Sequence, residues 1–289
     1  MSLEFSKLLE TLAQKDPDAR RSAVASILKK EGISYTTQEL EPSYKHPRGI
    51  CNYVFSTGEN VPKLLFCAHY DSVPGSYGVN DNAAGVCILI ELAKFLKSKN
   101  MNAHFVLFDG EEQQNAGSKH FVSTMNRTEI TGVINLDVCG YGNHIVIYGK
   151  GHEKKKVFSN FCNKAFMKEH NATIVNYLPP SDDISFSGSN IPTLSIAIVP
   201  YWDIQYLKTL GTYGGGILGR PPEFNMILSE MDVMSTLHGG YKDSIEWIEP
   251  EAMKRVYDYL SVALSCPLIN SNSQSSSFLK KSFKFNHKM

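Results

Sequence analysis

Four short apolar runs, at residues 63–68, 103–108, 132–138 and 192–199, constrain this chain more than anything else in it. Each is too short to span a bilayer and has the length of a strand, not of a helix. Residues 83–96 form a longer apolar stretch, and residues 153–168 and 249–264 have helical spacing, so the spacing predicts helices there. A further strand is expected at 144–148. Residues 34–56 read as a strand pair turning at His46–Pro47–Arg48–Gly49. Residues 3–31 read as helices, broken near Asp16–Pro17 and ended by Gly32. Strands alternating with helices predict an α/β fold whose mainly parallel or mixed sheet is covered on both faces.

Ligands in such folds sit at the carboxyl ends of strands. His69, Glu111, Glu112 and Asp137 all fall at or near those ends. With Asp81 and His238 they make five metal ligands and one spare carboxylate, the set that two zinc ions sharing one aspartate would need. Taken singly, most of these residues have ordinary explanations. His69, two residues before Asp71, reads as a buried, hydrogen-bonded histidine or as a zinc ligand whose ring a carboxylate orients. Asp81 stands before an apolar helix, where an aspartate is normally an N-cap. However, it lies between Asn80 and Asn82 in a turn flanked by Gly78 and Gly85. A carboxylate there could hold two cations about 3.5–4 Å apart. Glu111 and Glu112 are costly to bring together without a shared cation or proton. In extended chain they would point opposite ways, one to a metal and one to substrate as a base. Asp137 ends an otherwise apolar strand and needs a partner if buried.

Basic and acidic residues balance at 29 each, which leaves no field to attract nucleic acid or an anionic membrane. The N-terminal segment has neither a basic n-region nor an apolar core, so no signal peptide is expected. No run approaches the roughly 18 apolar residues of a membrane span. Six cysteines without a C-x-x-C pair suggest a reducing compartment, hence the cytoplasm. No G-x-S-x-G elbow supports a serine nucleophile, and no Walker or Rossmann glycine signature occurs. Residues 1–266 are expected to form one domain. Residues 200–236, with Gly-Gly-Gly at 214–216 and Pro221–Pro222, read as a long lid or pocket-wall loop. Residues 267–289 read as a disordered, Ser/Asn-rich tail.

The stretches AHYDSVPGSYGVNDNAAG, FVLFDGEEQQNAGSKHF, VINLDVCGYG, SDDISFSGSNIPTL and LHGGYKDSI resemble, in order, the motifs of the zinc aminopeptidases of metallopeptidase family M28. The resemblance covers residues 63 to about 245. It implies a single-domain three-layer sandwich of the zinc-exopeptidase kind, with a mixed, mainly parallel sheet between helices. It implies two zinc ions, although another divalent metal could use the same ligands. His69 and Asp137 would bind one, Glu112 and His238 the other, and Asp81 would bridge them across a cis Asp81–Asn82 peptide. Glu111 would be the general base, and Asp71 would orient His69. Asp182 would lie near the pocket, with Asn82, Tyr201 and Tyr241 as further pocket candidates. The substrates would be peptides with a free N-terminus. The chain departs from the family where His238 to Asp243 is one residue longer than usual, and where Leu237 replaces a tyrosine found in some members. That leaves Tyr201, Tyr213 and Tyr241 as candidate oxyanion donors. An alternative is a glutaminyl-cyclase-like acyltransferase with a single zinc; Leu237, where such enzymes tend to carry tryptophan, speaks against it. A non-catalytic binding protein is disfavoured by the intact Glu111 and ligand set.

Overall fold

The structure, a computed structural model, describes residues 4–213 and 220–267. Two helices open the chain, α1 (Phe5–Leu12) and α2 (Pro17–Lys30). Asp16 caps α2 by accepting the Ala19 N–H at 2.7 Å, and Gly32, at φ +66°, turns the chain out of it. The strands follow: β1 (Thr36–Leu40), β2 (Ile50–Ser56), β3 (Lys63–His69), β4 (His104–Phe108), β5 (Ile130–Leu136), β6 (His144–Tyr148), β7 (Ala172–Ile174) and β8 (Thr193–Val199). They form one mixed sheet in the order β1-β2-β4-β3-β5-β8-β6-β7. The central strands β4, β3, β5 and β8 run parallel, while β1, β2 and β6 pair antiparallel at its flanks.

Alternation along the strands assigns residues to the two layers. Phe66, Ala68, Phe105, Leu107, Ile134 and Leu136 face α1, α2, α3 (Ala84–Ser98) and α8 (Pro250–Ser265). The intervening Leu65, Cys67, Val106, Phe108 and Val133 face Phe121 of α4 (Ala116–Thr124) and Phe186. Farther along the sheet, Val146, Ala197 and Val199 pack on α6 (Asp203–Thr212) and α7 (Pro222–Ser229). Among the described residues no helix is long and apolar enough to cross a membrane.

Two expectations need correction. Residues 153–168 are not one helix: short 3-10 turns at His152–Lys154 and Lys156–Phe158 precede α5 (Lys164–Glu169). Asn163 starts α5 afresh, its side chain accepting the Ala165 and Phe166 N–H groups at 3.0 Å. Residues 200–236 are not a plain loop, since α6, α7 and a 3-10 turn at Asp232–Thr236 occupy most of them. Ile204, Leu207 and Leu210 repeat at helical spacing and bury one face of α6. The Gly-Gly-Gly at 214–216 and residues 268–289 of the expected tail lie outside the described residues. The short strand β7 and helix α4 were not expected.

Candidate active site

Parallel pairing brings the carboxyl ends of the central strands level. His69 sits opposite Phe108, Cys67 opposite Asn135, and the Asp137 N–H reaches the Ile196 carbonyl at 3.2 Å. His69 is buried at the end of β3. Its Nδ1 lies 3.2 Å from the Asp71 carbonyl and 3.4 Å from an Asp71 carboxylate oxygen. Its Nε2 lies 3.1 Å from Asp81 and 3.5 Å from Asp137.

Asp71 also accepts the N–H groups of Glu111 and Glu112, at 3.0 and 3.1 Å. These two glutamates are not in extended chain. Gly110, at φ +71°, breaks the strand direction, and the pair lies in the turn that Asp71 gathers. Asn115 donates to Glu111 Oε1 at 3.2 Å.

Asp81 does not cap α3. The N-cap there is Ala83, without a side-chain cap bond. A tight turn carries Asp81 instead: a Cβ on Gly78 would stand 2.6 Å from the Ser72 Cβ, and φ at Gly78 is +51°. The Asp81–Asn82 peptide is cis. Neighbouring amides fix the segment, with Asn80 bonded to Thr236 and to the Gly140 N–H, both at 2.7 Å, and Asn82 to the Leu136 carbonyl at 2.7 Å. The buried Arg20 guanidinium adds hydrogen bonds to the Tyr70, Tyr77 and Gly78 carbonyls. His238, at φ +52°, places Nε2 3.0 Å from Asp81 and 3.7 Å from Glu112.

Two triads result, His69–Asp81–Asp137 and Asp81–Glu112–His238, each with its ligand atoms within 4.8 Å of one another. His69 Nε2 and Asp137 Oδ1 are buried without a hydrogen-bond partner although they face one another. Orphaned atoms of this kind fit a cation at the centre of the triad. Charge crowding is consistent with that. Burial and the Asp137, Asp182 and Asp81 carboxylates push Glu111 up to about 9. Burial and Asp81 push Glu112 up to about 7. His238 is raised to about 9 by its contact with Asp81. Burial opposes the charge on His69, but Asp137, Asp71 and Asp81 outweigh it and raise its pKa. Asp81 is held below the carboxylate range, the two histidines outweighing its burial.

Both triads border a cavity of about 340 Å³. Glu111 lines it as well, and its far wall is Leu178, Leu207, Leu228, Met231, Val233 and Met234. Among its lining residues there is no lysine or arginine. Asp182 is fully buried, with neither carboxylate oxygen hydrogen-bonded, and burial pushes it up to about 7. Its neighbour Ser181 reaches the cavity; Asp182 and Asn82 do not line it. The structure does not bring the candidate tyrosines to the cavity. Tyr201 and Tyr241 are 65% and 76% exposed and outside the cavity wall. Tyr201 rests edge-on against His144 and Tyr241 against Trp247, while Tyr213 packs on Phe224. The sequence reading missed the apolar wall, whose signal was the helical spacing of Ile204, Leu207 and Leu210. It named Asp243 only as the end of the His238 motif and missed its bond to Ser76, which ties the His238 loop to the Asp81 loop.

The family model described as Peptidase family M28 matches residues 52–263. Aminopeptidase YwaD of Bacillus subtilis is 30% identical over 135 residues, 45% of this chain and 28% of that protein. A vacuolar membrane protease of Candida tropicalis is 30% identical over 121 residues, 41% of this chain and 13% of that protein. The chain thus matches less than a third of the length of either relative. Among solved structures, Porphyromonas gingivalis glutaminyl cyclase has a TM-score of 0.64 at 15% identity, covering 90% of this chain and 96% of that one. A Zn-dependent exopeptidase from Parabacteroides distasonis has a TM-score of 0.62 at 17% identity, covering 92% and 99%. These two likenesses carry the zinc-exopeptidase fold.

Proposed function

Because this chain belongs to peptidase family M28, we propose that it is a zinc-dependent aminopeptidase that removes N-terminal residues from peptides. The observation that carries this reading is the pair of triads sharing Asp81, with Glu111 beside them on the wall of the same cavity. His69, Asp81 and Asp137 would hold one zinc, and Asp81, Glu112 and His238 the other. Bound there, the two ions supply Lewis acidity, which makes water more acidic and polarises a peptide carbonyl.

The protein's own groups do the rest. Asp71 sets the His69 ring and braces the turn bearing Glu111 and Glu112. Glu111 takes a proton from water and passes it to the leaving amine. Asn115 orients one of its oxygens. A free α-amino group suits a cavity rimmed by carboxylates and lacking lysine or arginine, whereas a substrate carboxylate would find no anchor there. The wall of Leu207, Leu228, Met231 and Met234 suits an apolar N-terminal side chain. Free thiols at Cys51, Cys67, Cys87, Cys139 and Cys162 suit a reducing compartment, and the cytoplasm is the proposed location.

An aminoacyl-amide panel with zinc counted by elemental analysis tests the proposal. The expected outcome is two zinc ions per chain, with leucine, methionine and phenylalanine amides cleaved and their N-acetyl forms untouched. One specific observation favours a second reading, the fold likeness to glutaminyl cyclase. One tightly bound zinc with pyroglutamate formation from N-terminal glutamine would select that reading and reject the first.

A further inference from the structure

The two triads are held in different ways. His69 is buried, and Asp71 contacts the ring nitrogen that faces away from Asp81. The His238 side chain is 53% exposed. Among the described residues its ring nitrogens meet no polar side chain except Asp81 and Glu112. Among the described residues nothing orients the ring from behind, so its placement depends on the backbone that carries it.

That backbone is unusual. His238 and Gly239 both have positive φ, +52° and +80°. Gly240 passes so close to Ser235 that a Cβ would lie 2.3 Å from its carbonyl oxygen. One group spans this turn. Asp243 Oδ2 accepts the Gly239 N–H at 3.0 Å, the Tyr77 N–H at 3.2 Å and the Ser76 hydroxyl. Ser76 in turn accepts the Gly78 N–H at 2.8 Å. Gly78 opens the tight turn that carries Asp81. A single carboxylate oxygen, 7% exposed as a residue, therefore collects donors from the loop bearing His238 and from the loop leading into Asp81. In such a dry setting these bonds hold more firmly than they would in water.

We propose that Asp243, acting through Ser76, is the positioning residue of the Asp81–Glu112–His238 triad. It holds the His238 and Asp81 loops in register, as Asp71 does for His69 by direct contact with the ring. The proposal rests on the reading that both triads bind cations. Its consequence is an asymmetry: the first triad binds tightly, and the second binds more weakly and depends on Asp243.

Titrating metal-stripped protein with zinc against a chromophoric chelator tests this without peptide substrate. Wild-type protein should fill in two steps. Asp243→Asn and Ser76→Ala should each weaken the second step by roughly 10- to 100-fold and leave the first unchanged. Ser76→Thr, which keeps the hydroxyl, should restore the second step. Two wild-type steps that neither variant shifts would overturn the proposal alone. Both steps weakening together, with a lower melting temperature of the metal-stripped protein, would assign Asp243 to the fold and overturn it as well. Uptake of a single ion by the wild type would overturn the two-cation reading, and this proposal with it.

Discussion

At the scale of single residues, the site is organised by carboxylates outside the two triads. Asp71 fixes one imidazole and two backbone N–H groups at once. Asp243 fixes three donors from two loops. Asp182 is a different case, since neither oxygen has a hydrogen-bond partner. Burial raises it to about 7 in the folded protein, against 3.8 when unfolded. The folded state then binds a proton that the unfolded state has released. Stability from this group is fully present below about pH 4 and is lost as pH rises through about 7. Urea midpoints of metal-stripped protein should therefore contain a falling component over that range, and Asp182→Asn should remove it. An Asp182→Asn curve parallel to that of the wild type would show that Asp182 does not titrate this way.

At the scale of elements, the strands were the legible part. The runs at 63–68, 103–108 and 192–199 became β3, β4 and β8 within a residue of their expected bounds, because a buried strand must be apolar on both faces. The shared bends were legible only as glycines, and their direction was not. Glu111 and Glu112 were expected in extended chain, but Gly110 and the two N–H bonds to Asp71 fold them into a turn. The placing of Tyr201 was hidden for a related reason, since nothing in a sequence says whether a side chain after a strand turns inward. Tyr201 turns out onto His144. The α6–α7 segment looked like a loop because its glycines and prolines mask the helical spacing between them. That segment now supplies the apolar wall of the cavity, so it should set the size of side chain accepted. Met234→Trp should fill the wall. The ratio of kcat/KM for leucine amide over alanine amide should then fall by roughly tenfold or more, with bound zinc unchanged. An unaltered ratio would place the substrate side chain elsewhere.

At the scale of the whole molecule, the fold explains how residues as distant as His69 and His238 become neighbours. The parallel centre of the sheet aligns the carboxyl ends of β3, β4 and β5; His69 ends β3, and the turns leaving β4 and β5 carry Glu111, Glu112 and Asp137. Asp81 and His238 arrive on two loops that Asp243 joins above them. The central claim is that this assembly hydrolyses peptide bonds with Glu111 as the proton carrier. Glu111→Gln removes that carboxylate while leaving both triads whole. The most direct measurement is its turnover of leucine amide with bound zinc counted in the same sample. The account predicts wild-type zinc content and a kcat lower by roughly 10²- to 10⁴-fold. Near-normal turnover at full zinc content would contradict it.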